Sequence, residues 1–291
     1  MHGDPSPIID AHTHVVPPEV AADRERFLEA DLWFRRLYTN PRRTLATADD
    51  VALEMARSGV DTTVAFGFAW RDPSLCVLNN DYILEQAAAH PDSLVPYCVV
   101  SPSDLEFSIV EMERCRRRGA VGVGELFPEG QGWNLNDRGA LRAFIGAVRG
   151  LELILNLHVS EPAGHDYPGK DSTTPAAIWP LIEMAGGEVP IVLSHWGGGA
   201  AFYELMPEVR DLTRQIYYDS AASHLLYLPA VFDVMARLAP GRILFGSDFP
   251  LMTQRRALRH VRAAGLDDET MAALLGGNAR MLGLGGASKL T

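Results

Sequence analysis

The chain has 291 residues, 47 % of them hydrophobic and 22 % charged, and a formal net charge of -11. This length and composition support a large folded core, and the negative charge argues against a nucleic-acid or anionic-membrane surface, because both require clustered basic residues. The three cysteines lack CxxC spacing, and neither a signal-like start nor a membrane-length apolar run occurs. We therefore expect a cytoplasmic protein with free thiols.

The first predicted strand, residues 8–16, contains Asp10, His12 and His14. Side chains alternate along a strand, so these three are expected on one face and the apolar residues between them on the other. Two imidazoles placed two residues apart can converge on one metal ion. The alternative is a pair of histidines held by ordinary hydrogen bonds at a strand end.

After a long connection at residues 17–46, short apolar runs alternate with helical patterns. The pattern predicts further strands at residues 62–66, 94–100, 120–126, 151–158, 191–195, 216–219 and 243–247. It predicts helices at residues 47–59, 78–90, 103–119, 138–148, 174–186, 203–212, 228–238, 255–264 and 268–275. Eight such units without a break predict a single (β/α)₈ TIM-barrel domain over residues 1–291. A doubly wound open sheet is the alternative, but no GxGxxG follows the first strand.

Polar residues end the predicted strands on the side where a barrel carries its active site. They are His12, His14, Glu125, His158, His195, Asp219 and Asp248. Nitrogen and oxygen ligands around one cavity suit a first-row divalent ion. We expect Zn²⁺, with Mn²⁺ and Fe²⁺ as alternatives.

Some of these residues carry a resemblance to a known family. They are a His-x-His pair, two separate histidines and a closing Gly-Ser-Asp-Phe-Pro, namely His12, His14, His158, His195 and residues 246–250. In this order they resemble the amidohydrolase superfamily, most closely the amidohydrolase-2 group related to aminocarboxymuconate-semialdehyde decarboxylase. The resemblance implies a metal held by His12, His14, His158 and Asp248, with His195 as a catalytic residue or a further ligand.

Glu125 departs from the pattern of many two-metal amidohydrolases, which carry a carboxylated lysine at the end of the fourth strand. A glutamate at this position resembles the TatD-like branch, in which it holds both metals. Single-metal members of the amidohydrolase-2 group do not require it. The sequence therefore leaves open whether Glu125 binds and whether one or two ions are present.

The favoured function is metal-assisted hydrolysis of an amide, lactone or ester in a small molecule. In this interpretation Asp248 deprotonates a metal-bound water, and His195 binds that water or polarises the substrate. The alternative is non-oxidative decarboxylation of a small carboxylic acid at the same metal site. Decarboxylation also requires a cation near the departing group, and no arginine or lysine ends a strand. A non-catalytic metal-binding protein is a third option.

Three further residues are candidates for substrate contact. Arg42 lies in the first long connection and could clamp a carboxylate, His165 follows the fifth strand, and Asp219 ends the seventh. We expect a small-molecule substrate and no nucleic-acid or membrane partner. The oligomeric state stays open, with a homodimer as one option.

Overall fold

Eight parallel strands form one sheet in chain order in the computed structural model, which describes residues 6–286. They are β1 Ile9–His14, β2 Thr62–Phe66, β3 Leu94–Cys98, β4 Gly122–Leu126, β5 Ile154–Leu157, β6 Ile191–Leu193, β7 Ile216–Asp219 and β8 Ile243–Leu244. Backbone hydrogen bonds of 2.7 Å from Ala11 to Phe245 and from His14 to Phe249 link the first strand to the last. The predicted (β/α)₈ TIM barrel is confirmed; the ends of the predicted domain range, residues 1–5 and 287–291, lie outside the described residues.

Helices surround the barrel. They are α1 Pro18–Ala22, α2 Arg24–Ala30, α3 Leu32–Tyr38, α4 Ala48–Ser58, α5 Pro73–Ala89, α6 Leu105–Arg117, α7 Pro128–Gln131, α8 Arg138–Gly150, α9 Pro175–Ala185, α10 Pro207–Arg210, α11 Ser223–Leu226, α12 Ala230–Leu238, α13 Gln254–Arg262, α14 Asp268–Ala272 and α15 Asn278–Met281. A 3₁₀ segment at His195–Leu205 and a π-helical turn at Ala273–Gly277 complete the list. Within residues 6–286, no helix has the length and apolar character needed to cross a bilayer.

Two helices differ from their predicted bounds by more than three residues. Helix α5 begins five residues earlier than predicted, because the Asp72 side chain accepts a hydrogen bond from the Ser74 amide and Pro73 occupies the first turn. The helix predicted at 203–212 is replaced by the 3₁₀ segment and the short α10. Left-handed backbone from Trp196 onward, and the glycines that follow it, prevents a regular α-helix there.

The strand β1 does not follow simple alternation. Ile9 and Ala11 pack with Val64 and Phe66 inside the barrel. Asp10 instead accepts a 3.0 Å hydrogen bond from the Gln254 side chain at the start of α13, in the helical layer. A register shift between Asp10 and Thr13 breaks the period of two. The prediction that Asp10 shares a face with the two histidines is therefore wrong.

The long connection after β1 folds into α1, α2 and α3 over the mouth of the barrel. Phe27 and Phe34 from these helices pack in an apolar cluster with Phe68, Trp70 and Phe127 from the barrel side. This second core holds the connection in place. It thereby positions the end of α3 and the residues after it above the carboxyl ends of the strands.

Candidate metal centre and active site

A cavity of about 380 Å³ lies at the carboxyl ends of the strands. Its base contains five of the predicted strand-end residues, His14, Glu125, His158, His195 and Asp248. The other two, His12 and Asp219, have no exposed surface and lie beneath them. The volume is in the range of small-ligand sites in other proteins.

Four side chains converge at the β1 side of this base. The Nε2 atoms of His12 and His14 are 3.3 Å apart. His14 Nε2 also lies 3.4 Å from a Glu125 oxygen and 3.4 Å from an Asp248 oxygen. Two ring nitrogens and two carboxylates facing one point form the donor set of a divalent cation. The residues present therefore fit a metal ion.

Asp219 fixes the orientation of His12. Its Oδ2 atom lies 2.9 Å from His12 Nδ1, and its Oδ1 atom accepts hydrogen bonds from the amides of His195 and Ala221. A carboxylate on Nδ1 leaves the lone pair of Nε2 directed at the converging donors, as is usual for metal-bound histidine. Asp219 was predicted to contact substrate, but it does not line the cavity and holds His12 instead.

Glu125 joins this group to a second one. Its other oxygen, Oε1, lies 3.2 Å from His158 Nδ1 and 3.5 Å from His195 Nε2. Each set, His12 with His14 and Glu125, and Glu125 with His158 and His195, could hold an ion. The preceding Gly124 has a φ of 131°, and a Cβ there would come within 2.2 Å of the Asn156 carbonyl oxygen. Only glycine permits this close approach between β4 and β5.

The charges of the buried groups depend on one another. Burial alone would raise the pKa of Glu125, but His12 and hydrogen bonds from the other histidines hold it well below its ordinary value. Burial would lower the pKa of His12 and His195, yet the surrounding carboxylates raise it to about 9 for His12 and about 10 for His195. Positive charge is thus strongly favoured at this position, whether carried by protons or by a metal ion.

Two of the site residues have left-handed backbone. His195 has a φ of 56° and Asp248 a φ of 65°. Such conformations cost a non-glycine residue about 1 kcal/mol or more and persist where neighbouring structure holds them. The amide of His195 bonds to Asp219, and that of Asp248 donates to the His12 carbonyl at 3.0 Å. The barrel therefore holds both side chains in place at a cost in backbone strain.

The outer cavity is lined by the first connection and by the loop after β5. Arg42, predicted to contact substrate, lies here with Arg43, and His165 faces them together with Tyr167. Neither guanidinium group forms a hydrogen bond or ion pair with another residue in the range 6–286. Arg43 is partly buried, whereas Arg42 is exposed. Cations thus reach the cavity from a loop, although none ends a strand.

Comparison with known proteins identifies the relatives of the chain. A family model described as amidohydrolase matches residues 9–282. Gamma-resorcylate decarboxylase of Rhizobium radiobacter is 23 % identical over 280 residues, covering 81 % of this chain and 86 % of the relative. The structure of 5-carboxyvanillate decarboxylase from Sphingomonas paucimobilis superposes with a TM-score of 0.73 at 17 % identity, covering 96 % and 99 % of the two chains. A manganese-bound dihydroxybenzoic acid decarboxylase from Polaromonas sp. JS666 has a TM-score of 0.66 at 18 % identity, covering 95 % and 96 %.

These relatives are decarboxylases, and this contradicts the hydrolase expected from the sequence. The expectation rested on the absence of a cation at the strand ends, but Arg42 and Arg43 reach the cavity from the connection after β1. The resemblance itself is confirmed. Since the matched model runs from the first strand to the last helix of the barrel, the chain belongs to the amidohydrolase family.

Proposed function

We propose that the protein is a metal-dependent, non-oxidative decarboxylase of a small aromatic carboxylic acid. The observation that carries this proposal is the pair of unpaired guanidinium groups, Arg42 and Arg43, in the same cavity as the metal-type donors. Phe68 and Phe127 line the same cavity and supply apolar walls suited to a ring. The decarboxylase activity of the relatives supports the same reaction.

We propose that His12, His14, Asp248 and Glu125 hold the ion. When bound, a divalent ion supplies positive charge that binds substrate oxygen atoms and stabilises negative charge on them. Mixed nitrogen and oxygen donors accept both Zn²⁺ and Mn²⁺. The manganese in the Polaromonas enzyme favours Mn²⁺ over the Zn²⁺ expected from the sequence. Binding of a second ion by Glu125, His158 and His195 remains a prediction, and it excludes a proton on His195 Nε2, because this nitrogen would be the ligand.

In this proposal His195 supplies the proton. Its Nδ1 atom lies 3.0 Å from the Ala221 carbonyl oxygen and donates to it, so its second proton sits on Nε2, toward the cavity. A Glu125 oxygen 3.5 Å from Nε2 favours the protonated form of the ring. His195 transfers the Nε2 proton to the ring carbon that bears the carboxylate. The carbon–carbon bond then breaks, its electron pair returns to the ring, CO₂ leaves, and water reprotonates His195.

Turnover in D₂O tests the reaction type. With a panel of hydroxylated benzoic acids that includes 2,6-dihydroxybenzoate and 5-carboxyvanillate, we expect CO₂ release matched by one deuterium on the carbon that lost it. Gas analysis measures the CO₂, and NMR of the product locates the deuterium. Product formation without CO₂, or no turnover of any acid by metal-loaded protein, would contradict the proposal.

Replacing Arg43 tests the carboxylate clamp. Charge-assisted hydrogen bonds contribute roughly 1.5–3 kcal/mol each, so Arg43→Met should raise KM by about 10- to 100-fold with a smaller change in kcat. Arg42→Met is the matched comparison, and its greater exposure predicts a smaller rise, because solvent screens the charge. Steady-state kinetics of both variants measures the difference. An unchanged KM in Arg43→Met would remove that residue from the substrate site.

A further inference from the structure

A second, much smaller cavity of about 10 Å³ lies between α11 and α13. Two histidines line it, His224 from α11 and His260 from α13, with their ring centroids 6.1 Å apart. Phe232 of α12 closes one side, with its ring 5.3 Å from that of His260. The space is about that of one water molecule.

The imidazoles in this cavity have no hydrogen-bond partner among residues 6–286. Both ring nitrogens of His224 and Nε2 of His260 are buried and unpaired. None of the three serines that line the cavity hydrogen-bonds to either ring: Ser220 donates to the Gly246 carbonyl, Ser247 donates to Asp10, and Ser223 accepts from the Trp196 indole. Two imidazoles alone do not make a metal site, which requires at least three protein ligands. The pair therefore calls for a different explanation.

Helix α11 connects this pair to the substrate cavity. Ala222, Leu225 and Leu226 line the larger cavity, whereas His224 from the same turn contacts the small one. A helix of one turn has little stability of its own and depends on what it packs against. Its entry residue, Ala222, has a left-handed φ of 53°, which further requires the neighbouring structure to hold it.

We propose that His224 and His260 form an acid-sensitive latch, which holds α11 against α13 while both rings are neutral and releases this wall of the substrate cavity when either ring is protonated. Protonation places a positive charge in a site without an acceptor, next to a second imidazole. The proposal concerns the cavity wall and holds whatever reaction the metal centre performs.

The charged groups around the two histidines determine whether a fall in pH weakens or strengthens the contact between α11 and α13. His224 is influenced by two groups of α13, Arg256 and His260, and no carboxylate offsets them. The groups facing the pair from α12 and from the loops after β7 and β8 are Phe232, Met252 and serines, none of which is charged. Burial, with help from Arg256, lowers the pKa of His224 to about 4, and burial lowers that of His260. A lowered pKa stabilises the closed form above pH 6.5, and this contribution declines as the pH falls toward 4.

Hydrogen exchange of the metal-loaded protein tests the latch. For a histidine with a pKa of about 4 when closed and 6.5 when open, linkage predicts that opening increases about twentyfold between pH 7 and pH 5. We expect that loss of protection, corrected for intrinsic exchange rates, in peptides covering residues 222–228. His224→Gln and His224→Phe should both reduce the shift, and the double variant His224→Phe/His260→Phe should remove it.

His90→Gln is the matched control, because His90 is an exposed histidine at the end of α5. This variant should keep the full shift. Acid-induced metal loss would affect the control and the histidine variants alike, so an undiminished shift in both His224 variants, or a shift that persists in the double variant, overturns the proposal. An unchanged α11 in the wild type at pH 5, or loss of the shift in His90→Gln, also overturns it.

Discussion

Replacing His195 with asparagine should lower the rate of CO₂ release by about a thousandfold, because a positioned proton donor contributes roughly 10²–10⁴ to catalysis. Asparagine keeps a polar group of similar size near the Ala221 carbonyl but cannot carry the second proton that faces the cavity. The barrel should remain folded, because His195 lies after β6 and outside the strand itself. Single-turnover rates with the best acid of the panel measure the effect, separately from substrate binding.

His165→Asn provides the matched control for this variant. His165 lines the same cavity but lies on the exposed loop after β5, away from the converging donors. Its replacement should change the rate of CO₂ release by less than about tenfold, as expected for a group that contacts substrate without transferring the proton. Equal losses in the two variants would show that His195 has no special role. A His195 variant with normal kcat would end its assignment as proton donor.

The polar site residues at the strand ends could be predicted from the sequence because each of them follows an apolar run. His158 follows directly after β5, and Asp219 ends β7, so the fold alone brings them to the same edge. The role of Asp219 was missed, since no pattern distinguishes a carboxylate that faces a substrate from one that holds a histidine. Only the three-dimensional structure distinguishes the two roles, because it shows that Asp219 does not line the cavity.

Arg43 and Tyr38 show why the substrate end of the site was harder to predict. Both lie after β1, where no periodicity specifies how the chain folds back over the barrel. The sequence shows a long connection there, but the direction in which its arginines point depends on tertiary packing. The preference for hydrolysis arose because no cation ends a strand and nothing in the sequence orients the arginines of the first connection. A long loop over the mouth of a barrel can supply the missing charge.

Removing the metal should abolish CO₂ release, with a residual rate at least about a thousandfold lower, because the site formed by His12, His14, Asp248 and Glu125 then offers no divalent charge to bind substrate oxygen atoms. Prolonged dialysis against a chelator gives the metal-free protein, and titration with Mn²⁺ or Zn²⁺ should restore activity.

Elemental analysis gives the number of ions bound per chain. Two equivalents in the wild type and one in Glu125→Gln would support a shared glutamate, and Glu129→Gln, a replacement of an exposed glutamate nearby, should leave the count unchanged.

The pH dependence of metal binding follows from the same charges. In the metal-free protein the carboxylates raise the pKa of His12 to about 9, so this histidine is protonated near neutral pH. A metal ion must displace that proton, and its apparent dissociation constant should therefore rise about tenfold for each pH unit below 9.

The stability of the metal-free fold changes with pH in the opposite direction to the affinity for the metal. The protonated His12 stabilises the metal-free fold below its unfolded pKa of about 6.5, and this stabilisation is lost as the pH rises through 9. The gain in melting temperature on adding metal should thus be larger at pH 9 than at pH 6, and calorimetry that finds the reverse order would contradict His12 as a ligand.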